Sequence, residues 1–109
     1  MLKHASLLAL FLAGSTCNAF ALDSGYWVVV GNMQQDETDP AVSSRIHAKI
    51  GRCGFQAFND FSSKFGFAPG YIVFVLGAYA SRAEAEAVLQ KARRCVPDGY
   101  IKRGAYAGE

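Results

Sequence analysis

The hydrophobic pattern of the chain repeats once along its length. Residues 26–31 and 71–77 are rich in aromatic and β-branched side chains and end on a glycine, which predicts two strands. Each is followed by apolar positions at helical spacing that end on a cysteine, and then by a short strand-like segment after Gly54 or Gly99. The pattern therefore predicts two consecutive βαβ halves.

The first predicted helix follows a polar loop at residues 32–39. Asp39 followed by Pro40 is typical of a helix N-cap and a first helical position. Apolar residues then recur at one-turn spacing, and a glycine able to adopt the left-handed conformation follows them. These positions are Val42, Ile46, Ile50 and Cys53, with Gly54 after them.

The second predicted helix begins after Ser81 and Glu84, whose spacing is typical of a capping box. Its apolar stripe consists of Ala85, Val88, Leu89, Ala92 and Cys95. Further strands are predicted at residues 55–61 and 100–103, a connecting loop at 62–70 and a loose tail at 105–109.

The order βαββαβ predicts an α+β, ferredoxin-like fold, with a four-stranded antiparallel sheet and two helices on one face. We expect the first and third strands to be central and parallel, so that both helices end at the same edge. Cys53 and Cys95 would then come within bonding reach and form a disulfide in an oxidising compartment. Such a bond would stabilise the fold by about 4 kcal/mol in the chain-entropy model. Two reduced, buried cysteines are the alternative.

Length and composition allow one domain. The chain has 109 residues, of which 51% are hydrophobic, and this is enough for one modest core. Residues 1–21 are predicted to be a signal peptide, because a basic start and an apolar run precede small residues at Ala19 and Ala21. Lipid attachment at Cys17 is the alternative for this segment. We expect a bacterial periplasmic or secreted protein, cleaved near Ala21, whose single domain is residues 22–109 and which has no transmembrane segment.

Charge and motif content exclude several classes of protein. The 11 basic and 9 acidic residues form no block of like charges, so a nucleic-acid partner is not expected. The loop carboxylates of Asp36, Glu37 and Asp39 are most simply solvated, with calcium binding as the alternative, and His47 is expected on a helix surface. Because no nucleophile with a base, phosphate cradle or metal-ligand spacing is present, the sequence predicts no enzyme, no cofactor and no metal.

The second half resembles the sporulation-related repeat (SPOR) domain. The stretch YIVFVLGAYASRAEAEAVLQKAR is similar to the family's V-x-V-G-P-F strand, which leads through a turn into S-R-x-E-A and a helix. In the first half, VVVGNM is similar to the partner strand V-Q-V-G-S-F. The resemblance covers residues 25–103 and implies an exported module that binds peptidoglycan, favouring glycan strands stripped of their stem peptides.

Four positions depart from the family pattern. Val29 stands where the family has a strand glutamine, and Val75 where it often has an arginine. Ala78 replaces the turn proline, and Tyr79 replaces the phenylalanine. The surface that the family uses to bind glycan is therefore more apolar in this chain.

The strand alternation of the family implies which side chains form the sheet face opposite the helices, here called the outer face. Trp27 and Tyr71 are the expected stacking platforms for sugar rings. With Lys102 on the rim, the candidate peptidoglycan-binding residues are Trp27, Val29, Gly31, Tyr71, Val73, Val75 and Lys102.

So apolar a face leaves three interpretations open. It could bind glycan, it could bind another exported protein as a secreted inhibitor or immunity-type protein does, or residues 62–70 or the tail could cover it. An open groove with Gln56, Asn59 or Lys102 on its rim would favour sugar. A flat, exposed apolar face would favour a protein partner.

Overall fold

The computed structural model describes residues 22–108, and the predicted signal peptide and Cys17 lie outside this range. The chain forms four strands and two helices in the predicted order. They are β1 (Ser24–Gln34), α1 (Pro40–Gly51), β2 (Phe58–Phe61), β3 (Tyr71–Tyr79), α2 (Arg82–Ala92) and β4 (Tyr100–Ala105). A short 3-10 helix, Ser62–Phe65, follows β2 directly.

The strands form one open antiparallel sheet in the order β2-β3-β1-β4. Both helices pack on the same face, where their apolar stripes bury side chains from the two central strands. The α+β, ferredoxin-like prediction is confirmed. The buried residues of this helix-side core are Val28, Val30, Ile50, Ala57, Phe74, Leu76, Ala85, Leu89, Ala92 and Val96.

The predicted caps are present at both helix starts. The Asp39 carboxylate accepts a hydrogen bond from the backbone N–H of Ala41, with Pro40 in the first turn. Ser81 and Glu84 form a complete capping box, in which each side chain accepts from the backbone N–H of the other residue. Such caps satisfy N–H groups that the first helical turn otherwise leaves unpaired.

The central strands β1 and β3 are antiparallel, so the expectation that they are parallel was wrong. The chain reverses direction three times between them, on entering α1, β2 and β3. Because the number of reversals is odd, β1 and β3 run in opposite directions. The helices therefore also run in opposite directions. Their C-terminal ends nevertheless meet, because the first residues of β2 and β4, Phe58 and Tyr100, pair at the same level of the sheet, with Val75 and Val29 respectively.

Cys53 and Cys95 lie just beyond the two helix ends and form the predicted disulfide, with Cα atoms 6.0 Å apart. Gly54 follows with φ of 84° and turns the chain away from α1 toward β2. The disulfide thus joins the two halves over the middle of the sheet.

Several element bounds differ from the prediction. β1 continues to Gln34, because its polar end pairs with Tyr71 and its neighbours in β3. β2 is shorter than predicted and spans Phe58–Phe61 only. Residues 55–57 instead connect Gly54 to the strand, and Ala57 enters the helix-side core.

A second apolar cluster lies on the outer face. Residues 62–70, here called the cover, fold back over the sheet and bury Phe65 and Phe67 against it. Tyr106 from the tail packs on the same cluster, so the tail predicted to be loose is ordered against the sheet. The centre of the sheet is therefore buried on both faces by the described chain.

Gly104 in β4 allows the cover to approach this closely. A Cβ atom at this position would collide with the carbonyl oxygen of Phe65 and lie 2.7 Å from the ring of Phe67. The carbonyl of Gly104 also accepts a 3.0 Å hydrogen bond from the indole N–H of Trp27. A residue without a side chain is thus needed where cover, β4 and Trp27 meet.

Within residues 22–108 neither helix is long and apolar enough to cross a bilayer.

Candidate functional site

Most of the residues predicted to form an exposed binding face lie beneath the cover. Trp27 is 3% exposed, Val29 1%, Val73 5% and Val75 1%. Phe65 meets the Trp27 ring edge-on at a centroid distance of 5.0 Å and stacks on Phe67 at 5.4 Å. Of the three interpretations of this apolar face, coverage by other parts of the chain is the one that holds at the centre of the sheet. Trp27 therefore does not present a stacking surface to a ligand.

Gly31 does not lie on the outer face, so its predicted orientation was wrong. An extra residue in β1 between Val29 and Gly31 shifts the pairing with β3. This bulge reverses the alternation, so a Cβ atom at Gly31 would lie 2.6 Å from Cγ2 of Ile46 in α1. Asn32 takes the outer-face position instead.

A groove of about 280 Å³ remains open on the outer face beside the cover. It lies where β1 ends and where β3 and β4 begin, and Val73 contributes to its apolar floor. The lining residues are Asn32, Ser62, Phe67, Ala68, Tyr71, Val73, Tyr100 and Lys102. Three of the predicted binding residues, Tyr71, Val73 and Lys102, therefore come together here.

Two partly exposed tyrosines flank the groove. Tyr71 is 40% exposed and Tyr100 42%. Tyr71 pairs with Gln34 on one side of β1, and Tyr100 pairs with Val29 on the other. From standard strand spacings their Cα atoms are roughly 17 Å apart, so the two residues lie near opposite ends of the groove.

The polar groups of the groove come from neighbouring strands. Asn32 supplies an amide, which both donates and accepts hydrogen bonds. Lys102 supplies an ammonium group, which lies 5.2 Å from the centroid of the Phe67 ring. The groove thus combines aromatic surface, an amide and one positive charge.

Asn32 and Tyr100 are groove residues that the sequence did not indicate. Asn32 reaches the outer face only because of the bulge, and no pattern in the sequence predicts that bulge. Tyr100 was placed at the start of β4, and its pairing with Val29 determines its face. Its position in the fourth strand, two residues before Lys102, could have indicated it.

Ser62 fastens the cover beside the groove. This side chain is 1% exposed, donates a 2.7 Å hydrogen bond to the carbonyl of Ala68 and accepts a 3.2 Å hydrogen bond from the N–H of Tyr71. Both ends of the cover are thereby tied to one buried hydroxyl, which keeps the groove wall in place.

The tail holds the other side of the cover. The Tyr106 hydroxyl donates a 2.5 Å hydrogen bond to the Asp60 carboxylate. The N–H of Ala107 bonds to the carbonyl of Lys64, whose ammonium donates in turn to the carbonyl of Gly108 at 3.0 Å. The Tyr106 hydroxyl lowers the pKa of the Asp60 carboxyl, with smaller contributions from the N–H of Phe61 and the charge of Lys64, against a desolvation that raises it.

Other residues singled out in the sequence lie away from the groove. Nε2 of His47 lies 3.1 Å from the Asn59 amide oxygen on the helix side, so Asn59 is not on the groove rim. Gln56 does not line the groove, whereas Lys102 does. In the acidic loop, Glu37 accepts from the N–H of Asp39. Residues 22–108 contain no group of three His, Cys, Asp or Glu side chains placed to hold a metal ion.

Comparison of the chain with protein-family models, with curated proteins and with solved structures finds no match.

Proposed function

We propose that this chain is an exported, non-catalytic binding module whose outer-face groove binds peptidoglycan glycan strands. The observation that carries the proposal is the groove itself, with Tyr71 and Tyr100 near its ends and Asn32 and Lys102 along it. The proposal keeps the ligand that the SPOR resemblance implies. It moves the site from the centre of the sheet to the uncovered part of the outer face.

The chemistry of the groove suits a sugar chain. Sugar rings have an apolar side, which packs on aromatic surface, and hydroxyl and acetamido groups, which need precisely placed donors and acceptors. Tyr71 and Tyr100 offer the aromatic surface, and Asn32 offers a hydrogen-bond donor and acceptor. The ammonium of Lys102 suits a carboxylate or hydroxyl oxygen. A Cα separation of roughly 17 Å between the tyrosines favours a polymer of several rings over a single sugar.

Export is supported by the disulfide between Cys53 and Cys95, because such bonds persist in oxidising compartments outside the cytoplasm. A periplasmic or secreted location after cleavage near Ala21 belongs to the proposal.

The alternative, a secreted inhibitor or immunity-type protein that binds another exported protein, depended on an exposed apolar patch. The central residues of that patch, among them Trp27 and Val75, are buried by the cover. What remains is a concave groove with Lys102 on its lining, the arrangement that favours sugar over a flat protein interface.

Sedimentation with peptidoglycan sacculi tests the proposal. Wild-type protein is expected to pellet with sacculi enriched in naked glycan, and Tyr71→Ala with Tyr100→Ala to weaken retention by roughly tenfold or more, from about 1 kcal/mol for each aromatic contact. Phe61→Ala is the matched control, since Phe61 is 41% exposed but does not line the groove. Equal retention of wild type and double variant would remove the groove as the site. Absence of wild-type retention, with a stable exported protein co-purifying, would favour the alternative.

A further inference from the structure

A five-residue pattern occurs once in each half of the chain. Residues 49–53 are KIGRC and residues 91–95 are KARRC, so K-x-x-R-C spans the C-terminal end of each helix. In each copy the lysine lies in the last turn of the helix, and the arginine and cysteine follow just after its last residue.

The disulfide brings the two copies together. Cys53 and Cys95 have Cα atoms 6.0 Å apart, and neighbouring Cα atoms are about 3.8 Å apart. The Cα atoms of Arg52 and Arg94 are thus at most about 14 Å apart, with a lysine one turn before each. The four cations Lys49, Arg52, Lys91 and Arg94, here called the basic patch, lie in the two segments that the disulfide joins.

The charges of the basic patch are exposed and unpaired. All four residues are exposed to solvent. Within residues 22–108 the ion pairs are Lys64 with Asp60 and Arg82 with Glu86, so none of the four cations has a carboxylate partner. Asp98 lines a shallow groove together with Lys49 but forms no ion pair with it. The patch therefore presents four exposed positive charges on two segments that the disulfide joins.

We propose that the basic patch docks the protein on an anionic lipid surface. Clusters of four to eight Lys and Arg side chains bind membranes that carry anionic headgroups, with about 1 kcal/mol for each cation near the surface. The helix C-terminal ends carry partial negative charge, which stabilises cations placed there, and the disulfide keeps the two segments together. Disulfides are rare in the cytosol and the nucleus, where nucleic acids are found, so a lipid surface is the expected anionic partner.

The basic patch and the groove lie on opposite sides of the sheet. The cysteines follow the helices that pack against the helix-side core, whereas the groove is on the outer face. A lipid surface docked at the patch leaves the groove free. The proposed lipid binding does not depend on the proposed glycan binding, and an experiment can refute either one alone.

Vesicle co-sedimentation tests the proposal, using the purified protein with pure phosphatidylcholine vesicles and with vesicles that also contain anionic phosphatidylglycerol. Wild-type protein is expected to pellet with the anionic vesicles only, and to be released as salt shortens the Debye length. Arg52→Gln with Arg94→Gln is expected to weaken binding by roughly 25-fold, about fivefold for each charge.

The matched control is Arg82→Gln with Arg103→Gln, which removes the same net charge from exposed residues outside the patch. Binding of the control close to wild type, with loss in the patch variant, supports the proposal. Equal loss in both variants means that net charge alone attracts the protein, and overturns it. Binding of soluble polyphosphate without binding of anionic vesicles overturns it as well.

Discussion

The cover is expected to act as a second hydrophobic core, and Phe65→Ala tests this directly. The Phe65 ring is fully buried, and it contacts Trp27, Phe67 and Tyr106 with centroid distances of 5.0 to 5.4 Å. Removing a buried phenylalanine ring costs about 3–5 kcal/mol, from the lost transfer free energy and the cavity left behind. We expect a loss of this size, similar to that for Phe74→Ala in the helix-side core, where Phe74 is equally buried.

The free energy of unfolding can be measured by urea titration, followed by far-ultraviolet circular dichroism. For a slope of about 2 kcal/mol per molar, a loss of 3–5 kcal/mol lowers the midpoint by roughly 2 M. Phe61→Ala is the control, because the side chain of Phe61 is 41% exposed and its truncation should cost less than about 1 kcal/mol. If Phe65→Ala does not fold, Phe65→Leu should give a measurable loss of about 1 kcal/mol.

A loss below about 1 kcal/mol for Phe65→Ala, equal to that of the Phe61 control, would refute the reasoning. It would mean that the cover rests on the sheet without contributing to the stability of the fold. The outer face would then be available to ligands at low cost.

Three further predictions concern the bonds that hold this arrangement. Replacing Cys53 and Cys95 together by alanine should lower the free energy of unfolding by about 4 kcal/mol, because the bond joins residues 42 apart in sequence, and urea titration measures this. The pKa of Asp60 is lowered in the folded protein, so its contribution is present above the unfolded pKa near 4 and is lost as pH falls through the lower folded value. Tyr106→Phe should therefore cost about 1 kcal/mol at pH 7 and progressively less below pH 4, and a pH-independent difference between the two proteins would contradict this. Gly104→Ala should force the cover away from β4 and destabilise by about 1–3 kcal/mol, as followed by thermal unfolding.

Local signals in the sequence predicted the helices and the sheet well. Asp39 and Ser81 cap the two helices as expected, since each cap depends on residues no more than three positions apart. The disulfide was also predicted, although from an incorrect strand direction. Counting the chain reversals between β1 and β3 would have given the antiparallel arrangement.

Features that depend on packing between distant parts of the chain could not be predicted from the sequence. The bulge that moves Gly31 to the helix side arises from the pairing of β1 with β3, and local composition does not encode it. Phe65 and Phe67 lie in a segment rich in glycine, with no strand or helix period, so residues 62–70 were predicted as a connecting loop, and their covering of the outer face remained one of three interpretations. The basic patch has no counterpart in a run of like charges, because the disulfide assembles it from two short segments.

Trp27 is the only tryptophan of the chain, and it lies entirely on one side of the sheet. Its indole is 3% exposed, meets Phe65 edge-on and donates a hydrogen bond to Gly104. Tryptophan fluorescence therefore reports the local environment of the apolar cluster on the outer face, while far-ultraviolet circular dichroism reports the helices on the opposite side. Recorded together, the two signals can distinguish detachment of residues 62–70 from global denaturation without any added label.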